Sequence, residues 1–398
     1  MADGRHSPDW ANIQTDLLGL ILDRLPFIDV LRCRGVCNSW RSVTIAHISS
    51  SPLLYSPKLQ PPWLVLNPIE EENVYHHVRG CQFLDLGERR LYNLKQRNEH
   101  ELDWTCRRMG SSRGWLMIWG VQQNPYIFNP FLDVGFHPPP APTKFIHKAI
   151  LLADPILNGR NYGVAAIYSC PSVGGNLIYT NCGDSHWSRP REGRNYADII
   201  CWKDHVYALS NRGFVDVWDL GSSSTPLRKM TIESSFPLEM FVDIDLDCKQ
   251  FYLVESLGQL LYAVRYTGIF DGQDGGMVYE MVLHLPEHRA KMFRVYKLDF
   301  LGKKWEKVES LGDEMLFVGA NESIAVSAKD FPQYQKNSIY FTQDNWWLMK
   351  SHDAGLFSLE DDSIRRVFKP DVMPGIMTPP CWILPRSPQK CLPGDFIH

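Results

Sequence analysis

The residues that come nearest to a catalytic pattern are His284, Glu287 and His288, in the run His284-Leu285-Pro286-Glu287-His288. An H-x-x-E-H spacing serves zinc chemistry when a helix brings both imidazoles to one face and leaves the carboxylate nearby as a base. Pro286 stands inside the run and disrupts such a helix. The run also follows a strand-like stretch and a loop rich in Gly and Asp at 271–276, so it reads as a polar loop. Cys33 and Cys37 lie four apart in a helical stretch, but no second thiol pair follows to complete a tetrahedral site. Asp243, Asp245 and Asp247 alternate with apolar residues, which a strand turns into one polar face. Phosphate loops, nucleophile elbows and dinucleotide fingerprints are all missing from the sequence. These patterns point away from bond chemistry and toward binding.

A chain of 398 residues has room for two domains. Apolar residues make up 44% and charged residues 22%, ordinary values for a folded soluble protein. The net charge of −4 gives no general attraction for nucleic acid or for an anionic membrane. The basic pairs Lys303–Lys304 and Arg365–Arg366 have acidic neighbours and read as solvated surface. No segment approaches the roughly 18 apolar residues of a membrane span. The opening residues MADGRHSPDW lack the apolar core of a secretory signal, so the expected compartment is cytosol, nucleus or both. The 10 cysteines show no repeated spacing and are expected to be reduced and largely buried. Without export, the sequon Asn321-Glu322-Ser323 carries no meaning.

The elements change character along the chain. Residues 1–9 are polar and expected to be disordered. Residues 10–48 read as helical, residues 49–63 as a Pro- and Ser-rich connection, and residues 64–398 as short strands between turns. In the helical part, Thr15 is the expected cap of a first helix with Asp16 in its first turn. Leu17, Leu18, Ile21, Leu22 and Leu25 share one arc of about 140°, whereas Leu20 falls outside it. Asp29 is placed to cap a second helix after Pro26. Cys33, Val36, Cys37, Trp40 and Val43 recur at helical spacing as the other wall of a small core. Three short helices over about 40 residues sit near the lower limit of independent stability, so such a module hides apolar surface on something else.

In the β-region, residues 206–220 and 251–265 align without gaps, each with a tyrosine six residues before a glycine. Tyr207 and Tyr252 are about 45 residues apart, and Tyr340 follows at about twice that distance, with Tyr296 near the point between. Trp187 and Trp305 each follow a glycine-containing turn, as in blades where an inward tryptophan closes the turn. The period predicts a β-propeller of six or seven four-stranded blades. A sandwich or irregular β-domain is the alternative.

The run Ile13–Arg41, with its DLL-x-x-IL-x-RL helix, following Pro26, DVLR turn and VC-x-x-WR ending, resembles an F-box. Ile13 and Gln14 stand where that family has Leu-Pro; Ile13 keeps the apolar contact. The β-region resembles the plant F-box proteins whose second domain is a Kelch-like propeller. The matching pieces run in order through GSSRGWLMI, Asn129-Pro130, DIICWKDHVYAL, LVESLGQLL, ESLGDEMLFVG and NSIYFTQD. The resemblance implies a multidomain α plus all-β chain, a three-helix F-box before the propeller. It implies a Skp adaptor as partner and, through it, a cullin. Carried onto matching positions, the adaptor contacts are Ile13, Leu17, Leu18, Ile21, Leu22, Leu25, Pro26, Leu31, Val36 and Trp40. The motifs and the charge lead us to expect no cofactor, no metal, and no nucleic-acid or membrane partner.

The resulting expectation is the substrate-recognition subunit of an SCF-type ubiquitin ligase, itself without catalysis, binding an unknown protein target through the propeller. The alternatives are an F-box scaffold without ubiquitination and a propeller enzyme with a cluster at the channel mouth. Trp346 and Trp347 are candidate anchors for a partner, with core the default for one of such a pair.

Overall fold

A computed structural model of the chain describes residues 9–25, 27–50, 61–66, 81–94, 108–119, 124–142, 146–156, 158–159, 161–170, 174–190, 194–210, 212–221, 226–233, 248–270, 287–343, 353–366 and 380–385. The helices and the strands fall into two compact units, the larger running from Pro61 to Leu384. Trp346, Trp347, the aspartates at 243, 245 and 247, and the loop at 271–276 lie outside the described residues.

In the helical unit, a single 3-10 turn, Trp10–Asn12, is capped by Asp9, whose carboxylate accepts from the Ala11 amide at 3.2 Å. Helix α1 is Thr15–Leu22, α2 Phe27–Cys33 and α3 Asn38–Ser50. Thr15 is the first helical residue rather than the cap; Gln14 takes the cap position with an extended backbone and no side-chain bond. Likewise Asp29 lies within the first turn of α2, where its carboxylate meets Arg32 at 2.8 Å. Both shorter helices pack on α3. Cys33 ends one helix and Cys37 precedes the next, so the two thiols never share a helical face. The Cys37 sulfur instead accepts from the Trp40 amide.

The larger unit is a six-bladed propeller. Blade one contains β1 (Trp63–Leu66), β2 (Cys81–Asp85) and β3 (Arg90–Leu94); blade two contains β4 (Arg108–Ser112), β5 (Trp115–Trp119), β6 (Pro125–Asn129) and β7 (Val134–Phe136). Blade three has β8 (Ile146–Leu151), β9 (Gly163–Cys170) and β10 (Gly174–Asn181), with Ser188 bridging Tyr179 where a fourth strand would run. Blade four has β11 (Tyr196–Trp202), β12 (His205–Ser210), β13 (Val215–Asp219) and β14 (Leu227–Ile232). Blade five has β15 (Cys248–Ser256), β16 (Gln259–Phe270), β17 (Glu287–Asp299) and β18 (Lys304–Val308). Blade six has β19 (Glu314–Val318), β20 (Ile324–Ser327), β21 (Ser338–Phe341), β22 (Gly355–Ser358) and β23 (Ile364–Arg366). Its β19 and β21 run parallel, unlike every other pair described. Finally β24 (Cys381–Ile383) returns to blade one and pairs antiparallel with β1, Trp63 opposite Ile383 and Val65 opposite Cys381.

The apolar core lies between blades rather than at the centre. Leu209, Val215 and Val217 of blade four pack with Leu253, Tyr262 and Trp305 of blade five, and each neighbouring pair of blades from two round to one has such a cluster. Because neighbours cover both faces of a blade, inner strands need apolar residues on both sides. All five residues of β5, Trp115-Leu116-Met117-Ile118-Trp119, are buried. Strand alternation is lost for that reason.

The repeat read from the tyrosines is a repeat of hairpins, not of blades. Tyr207 lies on the second strand of blade four, whereas Tyr252 lies on the first strand of blade five. The two tryptophans also act differently from expectation, since each reaches outside its own blade. Trp305 on β18 donates from Nε1 to the Gly213 carbonyl of blade four at 3.1 Å. Trp187 donates to the Pro139 carbonyl, in the connection leading from blade two, at 2.8 Å. The indoles strap neighbouring blades together.

Ring closure concentrates on Trp382. It is fully buried among Phe317 and Tyr340 of blade six and donates to the Val318 carbonyl at 3.2 Å. Trp382→Ala is expected to lower stability by about 3–5 kcal/mol, against about 0.5 kcal/mol or less for the exposed Leu301→Ala. Chemical denaturation followed by tryptophan fluorescence and far-UV dichroism measures both.

Candidate functional site

Two places can carry function: the surface of the helical unit and the axis of the propeller. In the helical unit the structure divides the expected adaptor residues into two groups. Leu18, Leu22 and Leu31 are fully or nearly fully buried, and with Phe27, Val30, Cys33 and Ile48 they form the module's own core. The buried stripe of α1 is therefore narrower than the predicted arc, because α3 covers only the i, i+4 pair Leu18 and Leu22. Leu17 and Val36 are at least half exposed, while Ile13, Ile21, Leu25 and Trp40 are intermediate. Val36 was expected in the core wall; it lies in the turn between α2 and α3, which turns it outward. Pro26 lies outside the described residues.

Two further apolar residues join this surface. Leu20 and Trp10 are more than half exposed. The sequence signalled Leu20 by leaving it off the buried arc, whereas nothing marked Trp10. Trp40 connects the two ends of the module by donating from Nε1 to the Trp10 carbonyl at 2.8 Å. The helical unit thus keeps Leu18, Leu22 and Leu31 inside and leaves two leucines, a valine and an indole exposed.

At the propeller axis, one carboxylate reaches three blades. Glu322 follows β19 in blade six. One of its oxygens accepts from the Ser112 hydroxyl of blade two, and the other accepts from the Cys201 amide of blade four at 3.1 Å. Its own amide donates to the Ser111 carbonyl at 2.8 Å. Blades two, four and six are not neighbours in a ring of six, so this side chain must sit near the axis. The flanking segment is close-packed there. A Cβ on Gly110, at φ +140°, would lie 2.6 Å from the Ala320 carbonyl and 3.3 Å from that of Ala149. Only glycine fits at that meeting of three blades. Asn321 and Ser323 are buried, so the sequon is closed to modification in the folded chain.

Arg113 and Cys201 complete this cluster. Arg113 donates from Nε to the Leu151 carbonyl at 3.3 Å, and Cys201 gives its thiol hydrogen to the Leu152 carbonyl at 3.4 Å. Burial pushes the Cys201 thiol up to about 11; the Arg113 guanidinium pulls it back and Glu322 pushes it further. A thiol so raised is a poor nucleophile at neutral pH. The arrangement joins blades and offers no paired acid and base to a substrate.

Other buried charges also link blades. Lys148 of blade three pairs with Asp198 of blade four, which accepts from the Leu253 amide of blade five at 2.6 Å. Arg265 of blade five meets Asp353 at 2.7 Å, and Asp353 also holds Arg366 of blade six. Arg366 is thus engaged in an ion pair, and Lys304 pairs with Glu306 at 2.8 Å, so neither basic pair forms an anion-binding patch by itself. Among the described residues no group of three or more His, Cys, Asp or Glu is placed to hold a metal. Glu287 and His288 open strand β17, which denies the H-x-x-E-H motif its helix, and His284 lies outside the described residues.

Glu322→Ala leaves the Cys201 amide and the Ser112 hydroxyl without their acceptor, at an expected cost of about 1–3 kcal/mol. It also removes the charge that raises the thiol, so Cys201 should alkylate faster at pH 8 than in wild type. Iodoacetamide labelling of the folded chain, read by peptide mass spectrometry beside a thermal melt, checks both effects.

Comparison with known proteins fits this division. Residues 83–358 match the KIB1-4 beta-propeller family and residues 10–45 match the F-box domain. A putative F-box protein of Arabidopsis thaliana is 27% identical over 84% of this chain and 84% of its own length. The F-box/kelch-repeat protein KIB1 of Arabidopsis thaliana is 26% identical over 86% of this chain and 79% of its own. The propeller match spans well over half of the 398 residues, and the chain accordingly belongs to the KIB1-4 β-propeller family, with an F-box domain ahead of the propeller.

Proposed function

We propose that this chain is the target-selecting subunit of a Skp–cullin–F-box ubiquitin ligase, with Skp adaptor bound by the helical unit and a protein target by the propeller. The observation that carries the reading is the exposure of the apolar side chains Trp10, Leu17, Leu20 and Val36 on a module whose buried positions are taken by other residues. Burying the half of each side chain that faces water contributes roughly 1 kcal/mol apiece. A module of about 40 residues has no reason of its own to keep such a surface in water. The F-box match makes a Skp-type adaptor the partner that such a face fits, and the likeness to an F-box/kelch-repeat protein supports the pairing of that face with a propeller.

In this reading the chain forms and breaks no bonds. It holds the target's lysine beside a ubiquitin-conjugating enzyme on the same scaffold and so raises the effective concentration of the reacting pair. The propeller suits that task because the blades are rigidly cross-linked while the turns at their ends are free to vary. The cullin enters through the adaptor, and the complex works in cytosol or nucleus.

The double variant Leu17→Asp, Leu20→Asp tests this reading without touching the core leucines. Wild type is expected to retain purified Skp adaptor and cullin in a pull-down, and the variant to lose both, since a carboxylate in an apolar interface costs several kcal/mol. Its thermal transition should match wild type. A folded wild type that retains no adaptor would refute the proposal.

A further inference from the structure

Trp10 lies in the helical unit but outside its three helices. Between its 3-10 turn and α1 stand Ile13 and Gln14, both extended, with ψ of 141° and 138°. Extended residues between a short turn and a helix form a joint, because rotation about their φ and ψ angles carries everything before them to a new place. A single 3-10 turn has little stability of its own with which to resist that swing. The Trp10 indole is 58% exposed, so its own packing holds it only in part. Whatever fixes the turn relative to α1 therefore fixes Trp10.

Two sets of bonds do so. The first builds the turn. Asp9 accepts from the Ala11 amide at 3.2 Å and from the Asn12 side-chain amide at 2.6 Å, and the Asn12 backbone amide donates to the Asp9 carbonyl at 3.1 Å. The second set docks it. The Trp40 indole donates from Nε1 to the Trp10 carbonyl at 2.8 Å. Trp40 is itself anchored in the first turn of α3, where its amide donates to the Cys37 sulfur at 3.4 Å and the Arg41 amide to the Cys37 carbonyl at 2.9 Å. Helix α1 packs on the same α3. Turn and helix are thereby both referenced to one element.

We infer that Trp40 is a positioning residue for adaptor binding: its indole N–H holds the Trp10 turn against α3 and so presents the Trp10 side chain to the Skp adaptor. The inference rests on the receptor reading and adds to it the residue that presets the surface. The F-box match begins at Trp10, so the turn lies inside the matched segment. A side chain placed before binding loses less freedom on binding, and the difference appears as affinity. Gln14 offers an independent way to stiffen the same joint. Its φ of −60° is the value that a proline ring fixes, and Ile13 before it is extended, as a following proline requires.

The test titrates purified Skp adaptor into full-length variants by calorimetry. Trp40→Phe keeps an aromatic ring and removes the N–H, and it should weaken binding about fivefold. Trp10→Ala should weaken it about tenfold. Adding Trp40→Phe to Trp10→Ala should cost less than about twofold more, because the side chain to be positioned is gone while the Trp10 carbonyl remains. Adding Gln14→Pro to Trp40→Phe should recover most of the loss, whereas Gln14→Pro alone should change affinity less than about twofold. If Trp40 only supported the fold, its replacement would cost the same with or without the Trp10 side chain, and proline at 14 would not rescue it. Either result overturns the inference. Binding that is lost in Leu17→Asp, Leu20→Asp but unchanged in Trp40→Phe would overturn this inference alone. A folded wild type that binds no adaptor would overturn it together with the receptor reading.

Discussion

Everything in the larger unit depends on three residues near the end of the sequence finding a strand near its start. Pairing of Cys381–Ile383 with Trp63–Leu66 closes the ring, and without it the cluster between blades six and one would have a face open to water. Closure is a long-range contact across some 300 residues and is costly in loop entropy. Its compensation is the burial of Trp63 and Trp382 with their aromatic neighbours, including Tyr92 stacked on Trp63 at 5.2 Å. The last strand therefore serves as a clasp.

Once closed, the ring is held in register by polar ties that apolar packing alone would not specify. Lys148–Asp198, Arg265–Asp353–Arg366 and the Glu322 contacts each join different blades and are each largely withdrawn from water. Buried ion pairs add little net stability, because desolvation offsets attraction. What they add is a penalty on misalignment: a blade shifted by one residue would leave an unpaired charge in a low-dielectric interior. A rigid ring with one end of its axis filled leaves the turn tips as the variable surface.

Much of this was legible in the residues. The DLL-x-x-IL-x-RL run gave the first helix and its buried pair Leu18 and Leu22, because helical periodicity is a local property. The blades were legible as short apolar runs between glycine turns. Their count and register were not, since Tyr207 and Tyr252 occupy different strands of their blades and an apparent hairpin period mimics a blade period. Sequence could not separate Leu17 from Leu18 as surface and core, since a small three-helix unit covers less of α1 than its apolar arc suggests. Glu322 was invisible for a different reason. Its partners Ser112 and Cys201 are far from it in sequence, and a single glutamate beside a serine carries no pattern.

The account turns on the claim that the outer face of the helical unit is an adaptor interface. Titration calorimetry of purified Skp adaptor into the full chain, repeated at several temperatures, measures this most directly. Burial of Trp10, Leu17, Leu20 and Val36 predicts one-to-one binding with a clearly negative heat-capacity change. A folded chain that gives no binding at any temperature, or binding with no heat-capacity change, would contradict it.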